Sequence, residues 1–269
     1  MADIGIGITG CAGRMGRMLI AEVAGTPGCR VVAGVEAKGN PAIGADLGEL
    51  AGLGNIGIKV GDEPATLFKL AEVVIDFSTP EAAVTHAKLA VQNKKPMLLG
   101  TTGLTTAQGN AVRDAARVVP IVWPPNTSLG VTLMLALVED AARRLGPEWD
   151  IEIVEMHHKH KVDAPSGTAL ALGRAAAAGR NVDLSREAVR GRDGVTGERR
   201  DGSIGFAALR GGDVAGDHTV VFAGAGERLE ITHRAASRQI FAKGAVKAAQ
   251  WLAGGRKPGL YGMKDVLGL

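Results

Sequence analysis

The stretch Ile4–Gly16, IGIGITGCAGRMG, decides the fold of this chain. Residues 4–8 alternate isoleucine and glycine, which predicts a short buried strand, and a glycine-rich turn follows. A helix is predicted from about Arg14 to Ala24, because GTPG at Gly25–Gly28 is a stop signal. A strand, a glycine turn and a helix in this order bind dinucleotides, since missing side chains let the pyrophosphate approach the backbone.

The register of the glycines decides which residues meet the phosphates. The string GxGxxG occurs at Gly5, Gly7 and Gly10, but that assignment would cut the strand short. We therefore prefer Gly7, Gly10 and Gly13. The pyrophosphate is then expected over the segment Gly10, Cys11, Ala12, Gly13, Arg14 and Met15, in which Arg14 offers a positive charge.

A second strand, Arg30–Glu36, is predicted to end in an acid. Glu36 lies roughly 20 positions beyond Gly16, where such folds hold the adenosine ribose. A carboxylate there favours the free 2′-hydroxyl of NADH over the 2′-phosphate of NADPH. Lys38 nevertheless offers a cation to a 2′-phosphate, so the sequence leaves NADH and NADPH both open.

Three further strand and helix pairs follow, namely Ile56–Val60 with a helix from Pro64, Val73–Phe77 with a helix from Pro80, and Met97–Gly100 with a helix from Thr105. This alternation predicts an α/β domain with a Rossmann-like parallel sheet. Ligands of such sheets bind beyond the carboxyl ends of the strands. That rule points to the loops Phe77–Thr79, Gly100–Thr102 and Pro124–Thr127. Thr101 and Thr105 are equally open to interpretation as capping or turn residues.

Composition narrows the function classes. The chain has 269 residues, of which 46% are hydrophobic, enough to bury a core. A net charge of +3, 3% aromatic residues and scattered Lys and Arg argue against nucleic acid as a partner. No apolar run reaches the roughly 20 residues that cross a bilayer, and Asp3 stands where a secretion signal is basic. Cys11 and Cys29 form no disulfide framework, so we expect a cytoplasmic protein.

The stretch Asp150–Ala169, DIEIVEMHHKHKVDAPSGTA, concentrates the titratable chemistry. Three of the six histidines fall here, between a predicted strand, Ile151–Met156, and a predicted helix after Thr168. A helix start with Ser166-Gly167-Thr168 suits a carboxylate or phosphate, because its N–H groups and dipole attract anions. Histidine and lysine can supply a proton. The pattern indicates a small acidic molecule that is bound and protonated.

Two other interpretations of HHKHK stay open. A His-Lys run is commonly a solvated face. A metal site needs fixed ligand geometry, whereas His157 and His158 point to opposite sides of a continuing strand and the spacing matches no HExxH motif. For both histidines to serve one pocket, the strand must bend or end there.

The remaining chain predicts a second domain. A helix, Leu129–Leu145, leads away from the parallel sheet. The loop Arg186–Gly202, rich in Arg and Gly, is predicted to be solvated, with a lid or a subunit contact as the alternative. The strands Ile204–Arg210, His218–Ala223 and Arg228–Thr232 predict a mixed or antiparallel sheet in an α+β domain. We expect His218 and His233 to be packed or interface residues.

The run Glu155–Ala169, EMHHKHKVDAPSGTA, resembles the signature of the 4-hydroxy-tetrahydrodipicolinate reductase (dihydrodipicolinate reductase) family. The resemblance implies that His157 is a proton donor or acceptor and that Lys161 is a second catalytic acid. It implies that the substrate carboxylates are held by His158, Ser166, Gly167 and Thr168. It also implies that the nicotinamide half of the cofactor contacts Gly100, Thr101, Thr102, Pro124, Pro125, Asn126 and Thr127.

The same resemblance implies an activity and an assembly. The expected reaction reduces 4-hydroxy-tetrahydrodipicolinate, with loss of water, to tetrahydrodipicolinate in diaminopimelate and lysine biosynthesis. The helix Ser237–Leu252 is expected to return to the first domain, giving a dinucleotide-binding domain of residues 1–127 and 238–269. Residues 128–237 then form the domain for substrate binding and oligomerisation. A homotetramer through the second domain's sheet is expected, with domains that close on the dicarboxylate substrate.

Two alternative functions remain. Another NAD(P)-dependent dehydrogenase of an amino-acid pathway would keep the glycine turn but would not need HHKHK joined to PSGT. A non-catalytic dinucleotide-sensing protein is the other alternative, and the intact His157, Lys161 and Ser166-Gly167-Thr168 argue against it.

Overall fold

The computed structural model describes residues 2–269, which divide into two compact units. The first unit comprises the chain up to Ser128 together with Gln239–Leu269, and the second is Leu129–Arg238. Each limit of the second unit lies one residue later than the boundary predicted from the sequence. In chain order the helices and strands are β1 (Ile4–Thr9), α1 (Arg14–Gly25), β2 (Cys29–Val35), α2 (Leu47–Leu50), β3 (Val60–Gly61), α3 (Pro64–Leu70), β4 (Val73–Asp76), α4 (Pro80–Asn93), β5 (Met97–Leu99), α5 (Thr106–Ala116), β6 (Pro120–Val122), α6 (Leu129–Leu145), β7 (Asp150–His157), α7 (Gly167–Arg180), α8 (Leu184–Glu187), β8 (Ala188–Val189), β9 (Ile204–Arg210), β10 (Asp217–Gly224), β11 (Glu227–Arg234), α9 (Gln239–Ala253), β12 (Gly259–Tyr261) and α10 (Met263–Leu267).

The first unit contains a seven-stranded sheet in the order β12-β6-β5-β4-β1-β2-β3. Every recorded pairing in this sheet is parallel, as the alternation of strands and helices predicted. The order reverses at β1, so the strand that enters the glycine turn lies inside the sheet, between β4 and β2. This is the position at which such sheets bind ligands.

The predicted strand Ile56–Val60 is wrong for most of its length, because only Val60 joins the sheet. The backbone of this segment is tied instead to the turn before α2. The Ile56 N–H donates to the Asp46 carboxylate at 3.0 Å, and the Leu47 N–H donates to the carbonyl of Ile58 at 2.8 Å. Gly57 adopts a left-handed φ of 76°, which a regular strand does not contain.

A buried apolar cluster holds the first sheet against its helices. It joins β-branched and long side chains of the strands to the alanine-rich faces of α4 and α5, and its largest members are fully buried: Leu67, Phe68, Met97, Leu99 and Ile121. Burial of a side chain of this size contributes about 2 kcal/mol. The strand ends are thereby fixed, and with them the loops that carry polar residues.

The second unit contains a mixed five-stranded sheet in the order β11-β10-β7-β9-β8. The central strand β7 pairs parallel with β9 and antiparallel with β10. The apolar residues of α6 and α7 pack on one sheet face, against Ile151, Ile153, Phe206 and Phe222. The predicted α+β domain with a mixed sheet is therefore confirmed.

The loop predicted as solvated, Arg186–Gly202, is in part anchored. It begins within α8 and β8, and two of its arginines return to β7. Arg192 donates through both terminal nitrogens to the Glu152 carboxylate, at 3.0 and 2.9 Å, and Arg199 donates to the same carboxylate at 3.0 Å. The charges that indicated solvent are therefore partly used in ion pairs within the unit. Across residues 2–269, no helix is long and apolar enough to span a membrane.

Candidate active site

The glycine turn between β1 and α1 is shaped by close backbone approaches. Gly10 has a left-handed φ of 70°, and a Cβ there would overlap the carbonyl oxygen of Phe77. A Cβ on Gly16 would overlap the carbonyl oxygens of Gly10 and Cys11, so the helix packs directly on the turn. The third glycine of the turn is therefore Gly16. Gly7, which the predicted register counted, lies within β1 beneath the Leu67 side chain.

The start of α1 suits an anion. The helix begins at Arg14, and its N-cap Gly13 places no side-chain acceptor on the first N–H groups. The first turn carries no acidic residue, so no side chain of the helix itself neutralises the positive end of the helix dipole. The predicted phosphate segment, Gly10–Met15, thus lies where the backbone favours a negative charge.

Glu36 ties the glycine turn to the end of β2. Its Oε1 accepts from the Ala12 N–H at 2.8 Å, and its Oε2 accepts from the Asn40 side-chain amide at 3.2 Å. Lys38 is exposed and forms a 3.1 Å ion pair with Glu63. The hydrogen bond and charge of Glu63 raise the pKa of Lys38. The Glu36 carboxylate therefore lies beside the glycine turn, whereas the Lys38 ammonium is paired with Glu63.

A cavity of about 490 Å³ opens beside these residues. Its lining brings together the glycine turn, the end of β2 and the loop after β4, and includes Gly10, Gly13, Glu36, Lys38, Phe77, Ser78, Thr79 and His86. A cavity of this volume is typical of pockets that bind small molecules. The cavity joins the predicted phosphate segment to the predicted ribose acid, so these residues fit a dinucleotide.

Asp76 is the centre of a buried polar cluster that sequence reasoning missed. This carboxylate, at the end of β4, is fully buried, and its Oδ2 lies 2.5 Å from Nδ1 of buried His86. Thr101 donates its hydroxyl to Asp76 at 2.6 Å and accepts from the Ser78 N–H at 2.9 Å. The Thr101 side chain is therefore occupied within the protein, and the loop Gly100–Thr102 can offer a ligand its backbone. An acid that ends an apolar strand, VVID, was the available signal.

The segment Pro124–Thr127 also has structural tasks. Thr127 is buried, and its hydroxyl donates to the carbonyl of Phe241 in α9 at 2.9 Å. The Asn126 side-chain oxygen accepts from the Ser128 N–H at 2.8 Å. Pro124 is buried and Pro125 is exposed. Thr127 thus secures the returning helix, and its predicted contact with the nicotinamide would have to use the backbone.

In the second unit, β7 delivers two polar side chains to the buried side of the sheet. Its burial alternates, so that Ile151 and Ile153 are followed on the same side by Glu155 and His157. The strand ends at His157, which removes the conflict that alternation posed for His157 and His158. The Lys161 N–H donates to the carbonyl of His158 at 3.1 Å, so the chain turns at this point.

The HHKHK run divides into three environments. His157 is buried, and its Nδ1 lies 2.5 Å from Oε2 of Glu155. His158 and Lys161 are half-buried, whereas Lys159 and His160 are exposed. The alternative interpretation of the run as a solvated face is therefore correct only for Lys159 and His160. Over residues 2–269, no three His, Cys, Asp or Glu side chains are grouped so as to hold a metal ion.

Lys161 is oriented by an acid of its own loop. Its Nζ donates to Oδ1 of Asp163 at 2.7 Å, and its side chain is 19% exposed. This hydrogen bond lowers the pKa of Asp163, whose carboxylate stays ionised near neutral pH. A cation that is held and still accessible can meet an anionic ligand.

Ser166 and His218 are engaged with each other. Ser166 is the N-cap of α7, and its hydroxyl accepts from the Ala169 N–H at 3.1 Å. The same oxygen lies 2.9 Å from Nε2 of His218. The Ser166 hydroxyl is buried, whereas Gly167 is exposed and a Cβ added there would meet nothing within 4 Å. The outward part of the predicted Ser166-Gly167-Thr168 grip is therefore the backbone that begins at Gly167.

His218 is packed, as expected, but it also touches the predicted proton-transfer residue, which the sequence did not indicate. Its ring meets the His157 ring edge-on, with centroids 5.1 Å apart. Burial, and then the neighbouring His157, lower the pKa of His218 to about 4. His218 is therefore neutral near pH 7, so it adds no positive charge beside His157.

Comparison with known proteins finds relatives that match both units. The family profile described as dihydrodipicolinate reductase, N-terminus, matches residues 4–127, and the profile described as dihydrodipicolinate reductase, C-terminus, matches residues 130–267. The 4-hydroxy-tetrahydrodipicolinate reductase 1 of Mesorhizobium japonicum is 54% identical and covers 99% of this chain and 98% of its own length. The 4-hydroxy-tetrahydrodipicolinate reductase of Brucella abortus is 51% identical and covers 99% of both chains.

Solved structures agree as well. The dipicolinate-bound dihydrodipicolinate reductase of Paenisporosarcina sp. TG-14 has a TM-score of 0.79 at 25% identity, over 98% of this chain and 99% of that one. A probable dehydrogenase of Thermotoga maritima, with a TM-score of 0.61 at 11% identity over 98% and 92% of the two chains, shares the fold alone. The family and the fold class indicated by the sequence are confirmed, and with them an NAD(P)H-dependent oxidoreductase. Since both units and the full-length relatives agree, the chain belongs to the dihydrodipicolinate reductase family.

Proposed function

We propose that this protein reduces 4-hydroxy-tetrahydrodipicolinate, with loss of water, to tetrahydrodipicolinate, a step of diaminopimelate and lysine biosynthesis. The observation that carries the proposal is the juxtaposition of His157 with the start of α7. Glu155 contacts both, since it accepts from the Nδ1 side of His157 and from the Ser166 N–H at 3.1 Å. A proton-transfer group thereby lies beside an anion-binding helix start, as a carboxylated substrate requires.

The first unit supplies the cofactor site in this proposal. The segment Gly10–Met15 would hold the pyrophosphate, Glu36 the adenosine ribose, and the backbones of Gly100–Thr102 and Pro124–Thr127 the nicotinamide half. The crowded glycines support this assignment, because a side chain at Gly10 would overlap the carbonyl of Phe77 and one at Gly16 would overlap the turn. When bound, the reduced nicotinamide supplies a hydride to the conjugated ring of the dehydrated substrate.

The second unit supplies the grip on two carboxylates. His158 and Lys161 offer half-buried nitrogen donors, and α7 offers its N-terminal backbone at Gly167 and Thr168. The Ser166 hydroxyl supports this grip by capping the helix. The dipicolinate bound to the relative from Paenisporosarcina is itself a ring with two carboxylates, which agrees with such a grip.

Hydride addition leaves electron density on the ring, and a proton must neutralise it. The Nδ1 position of His157 faces Glu155, so its Nε2 is the atom available for transfer. Lys161 is the alternative donor, because its Nζ carries protons and is partly accessible. Proton transfer by a positioned group contributes about 10² to 10⁴ in rate. Both residues remain in the proposal, His157 as donor or acceptor and Lys161 as the second acid.

We propose that the enzyme prefers NADH to NADPH. The Glu36 carboxylate disfavours a 2′-phosphate at the ribose, and the Lys38 ammonium is paired with Glu63 at 3.1 Å. Freeing Lys38 for a phosphate would break that ion pair. Binding of NADPH through Lys38, the predicted alternative, would therefore require the loss of this ion pair, whereas binding of NADH would not.

We propose a cytoplasmic homotetramer assembled through the second unit's sheet. On the face opposite α6 and α7, Val154 and Val221 are half-buried, and Ala207 and Leu209 are exposed. Apolar residues on a sheet face favour a partner surface. Both cysteines are free thiols, in keeping with a reducing compartment.

The test is turnover with the freshly prepared condensation product of pyruvate and aspartate semialdehyde. We expect loss of the reduced-nicotinamide absorbance, with the higher kcat/KM for NADH. Aspartate semialdehyde alone distinguishes a semialdehyde dehydrogenase, and binding of NADH without turnover of either compound distinguishes a dinucleotide-sensing protein. Either of those outcomes would reject the proposed reaction.

A further inference from the structure

The carboxylate of Glu155 is the most heavily engaged polar group of the second unit's site. It lies at the end of β7 and is 1% exposed. Its Oε2 faces Nδ1 of His157 at 2.5 Å and accepts from Arg210 at 2.9 Å. Its Oε1 accepts from Arg210 at 2.9 Å and from the Ser166 N–H at 3.1 Å. Every group around the two oxygens is an N–H donor.

This surrounding keeps Glu155 ionised. Burial alone would raise the pKa of Glu155, but the hydrogen bonds from Arg210 and His157 outweigh burial and lower it. An ionised carboxylate has no proton to give, so His157 must carry its proton on Nδ1. The Nε2 atom of His157 is then the one that exchanges a proton with a ligand.

Arg210 connects this carboxylate to the loop that bears the second acid. Besides its fork to Glu155, Arg210 donates to the carbonyl of Asp163 at 2.7 Å. Asp163 in turn holds Lys161 through its carboxylate. A chain of hydrogen bonds therefore runs from His157 through Glu155 and Arg210 to the loop of Lys161.

We propose that Glu155, held by Arg210, is the positioning residue of the reaction: it fixes the Nδ1–H tautomer of His157 and links that ring to the start of α7. The inference rests on the proposed function and assigns roles to two residues outside the HHKHK and SGT motifs. Glu155 touches no substrate and acts through His157. The charged and titratable groups linked to His157 are Glu155 on β7, Arg210 on β9 and His218 on β10, and Arg210 is connected in turn to Asp163 and Lys161 in the loop after β7.

Replacement of Glu155 by glutamine is the sharpest perturbation. The amide nitrogen replaces one acceptor oxygen, although every neighbour of that carboxylate is a donor. Where the new NH₂ faces His157, the ring must accept on Nδ1 and move its proton to Nε2, which is the wrong tautomer for transfer. The matched control is Glu152→Gln. Glu152 lies on the same strand and is gripped by Arg192 and Arg199, but it has no recorded contact with His157.

The experiment measures kcat, NADH affinity and the histidine tautomer on the full-length protein. We expect Glu155→Gln to lower kcat about 10²-fold, with NADH affinity close to that of Glu152→Gln, which keeps its kcat. In a His157→Asn background, adding Glu155→Gln should cost less than about threefold, since Glu155 acts through the ring. A full 10²-fold loss in that background, or wild-type kcat in the single variant, would overturn the inference.

The tautomer is read by ¹⁵N NMR of the histidine ring nitrogens, which needs no turnover. The wild-type protein should show His157 protonated on Nδ1, and Glu155→Gln should shift that population toward Nε2. An unchanged tautomer overturns the inference.

If Glu155→Gln does not fold, Arg210→Lys replaces it, because a lysine keeps one donor and loses the two-pronged hydrogen bonding of arginine. The expected loss is about tenfold in kcat. Absence of turnover by the wild-type protein rejects the proposed function instead, and the NMR result still decides the tautomer.

Discussion

Asp76 and His86 form a buried hydrogen-bonded pair at the end of β4, with Oδ2 and Nδ1 2.5 Å apart and neither side chain more than 7% exposed. Thr9 and Thr101 donate to the same carboxylate, at 2.9 and 2.6 Å. The pair therefore joins β1, the strand before the glycine turn, to the loop after β5. It fixes from inside the two loops that we assign to the cofactor.

Asp76→Asn is expected to destabilise the protein by about 3 kcal/mol, because the amide leaves buried donors without acceptors. Urea unfolding measures the loss. Asp114→Asn is the matched control, since Asp114 pairs with Arg117 at 3.6 Å on the surface and should change stability little. Equal unfolding midpoints for the two variants would contradict a structural role for the Asp76 cluster.

The same variant should alter the response to acid. Burial alone would raise the pKa of Asp76, but the hydrogen bonds from His86 and the two threonines outweigh it and lower the pKa. A depressed carboxyl pKa contributes stability that is present above the unfolded value of about 3.9 and is lost as the pH falls through the folded value. The wild-type protein should therefore lose stability below about pH 4 more steeply than Asp76→Asn. Parallel stability curves for the two proteins would contradict this assignment.

Gly16→Ala should disrupt the glycine turn. The added methyl group overlaps the carbonyl oxygens of Gly10 and Cys11, which are backbone atoms that cannot rotate away. We expect a loss of at least tenfold in NADH affinity by fluorescence titration, together with a lower Tm. Gly25→Ala, at the other end of α1, meets nothing within 4 Å and should leave both unchanged or raise the Tm slightly.

Sequence reasoning recovered local features well. The glycine turn, the alternation of strands and helices and the HHKHK run joined to PSGT are each written in consecutive residues, so their period and spacing are visible. The prediction of a strand over Ile56–Val60 was wrong because the backbone of this segment is bound by the turn at Asp46, whose carboxylate accepts from the Ile56 N–H. This contact overrides the local preference for a strand.

The groups that were missed depend on partners far apart in the chain. Glu155 meets Arg210 across 55 positions, and a single acid in an alternating strand looks like a solvent-facing residue. His86 lies mid-helix among alanines, and only the fold brings Asp76 beneath it. Ser166 was predicted as a ligand group, but its partner His218 is 52 positions away. Such pairs are formed only when the sheets bring the two residues together, so neither residue's neighbours in the sequence reveal them.

Glu63→Gln should widen the use of NADPH. Removal of this charge frees Lys38, and Glu63 contributes no side-chain cap to α3, so the helix is not weakened. We expect kcat/KM for NADPH to rise about threefold relative to NADH. Lys38→Met, the converse variant, should lower kcat/KM for NADPH and leave that for NADH unchanged. A ratio that neither variant moves would remove Lys38 from the cofactor site.

Ser166→Ala should act mainly on stability. Its hydroxyl caps α7 and contacts His218, and a lost N-cap costs about 1 kcal/mol. We expect a lower Tm with a KM raised less than about threefold, because the hydroxyl is already engaged within the protein. Thr105→Ala removes the N-cap of α5 and should lower Tm similarly without altering KM. A tenfold rise in KM for Ser166→Ala would show that the hydroxyl binds substrate after all.

Lys161 and Lys159 allow the sharpest test of the basic run, since they lie two positions apart in one loop. Lys161 is half-buried and held by Asp163 at 2.7 Å, whereas Lys159 is exposed. If Lys161 is the second acid, Lys161→Ala should lower kcat about 10²-fold or more, while NADH affinity stays within about twofold of the wild type. Lys159→Ala should change neither quantity, because a solvated lysine contributes little.

Stopped-flow turnover and NADH titration on both variants separate the outcomes. An equal fall in kcat for the two lysines would mean that general positive charge attracts the substrate, and a parallel loss of turnover and NADH affinity in Lys161→Ala would make Lys161 structural.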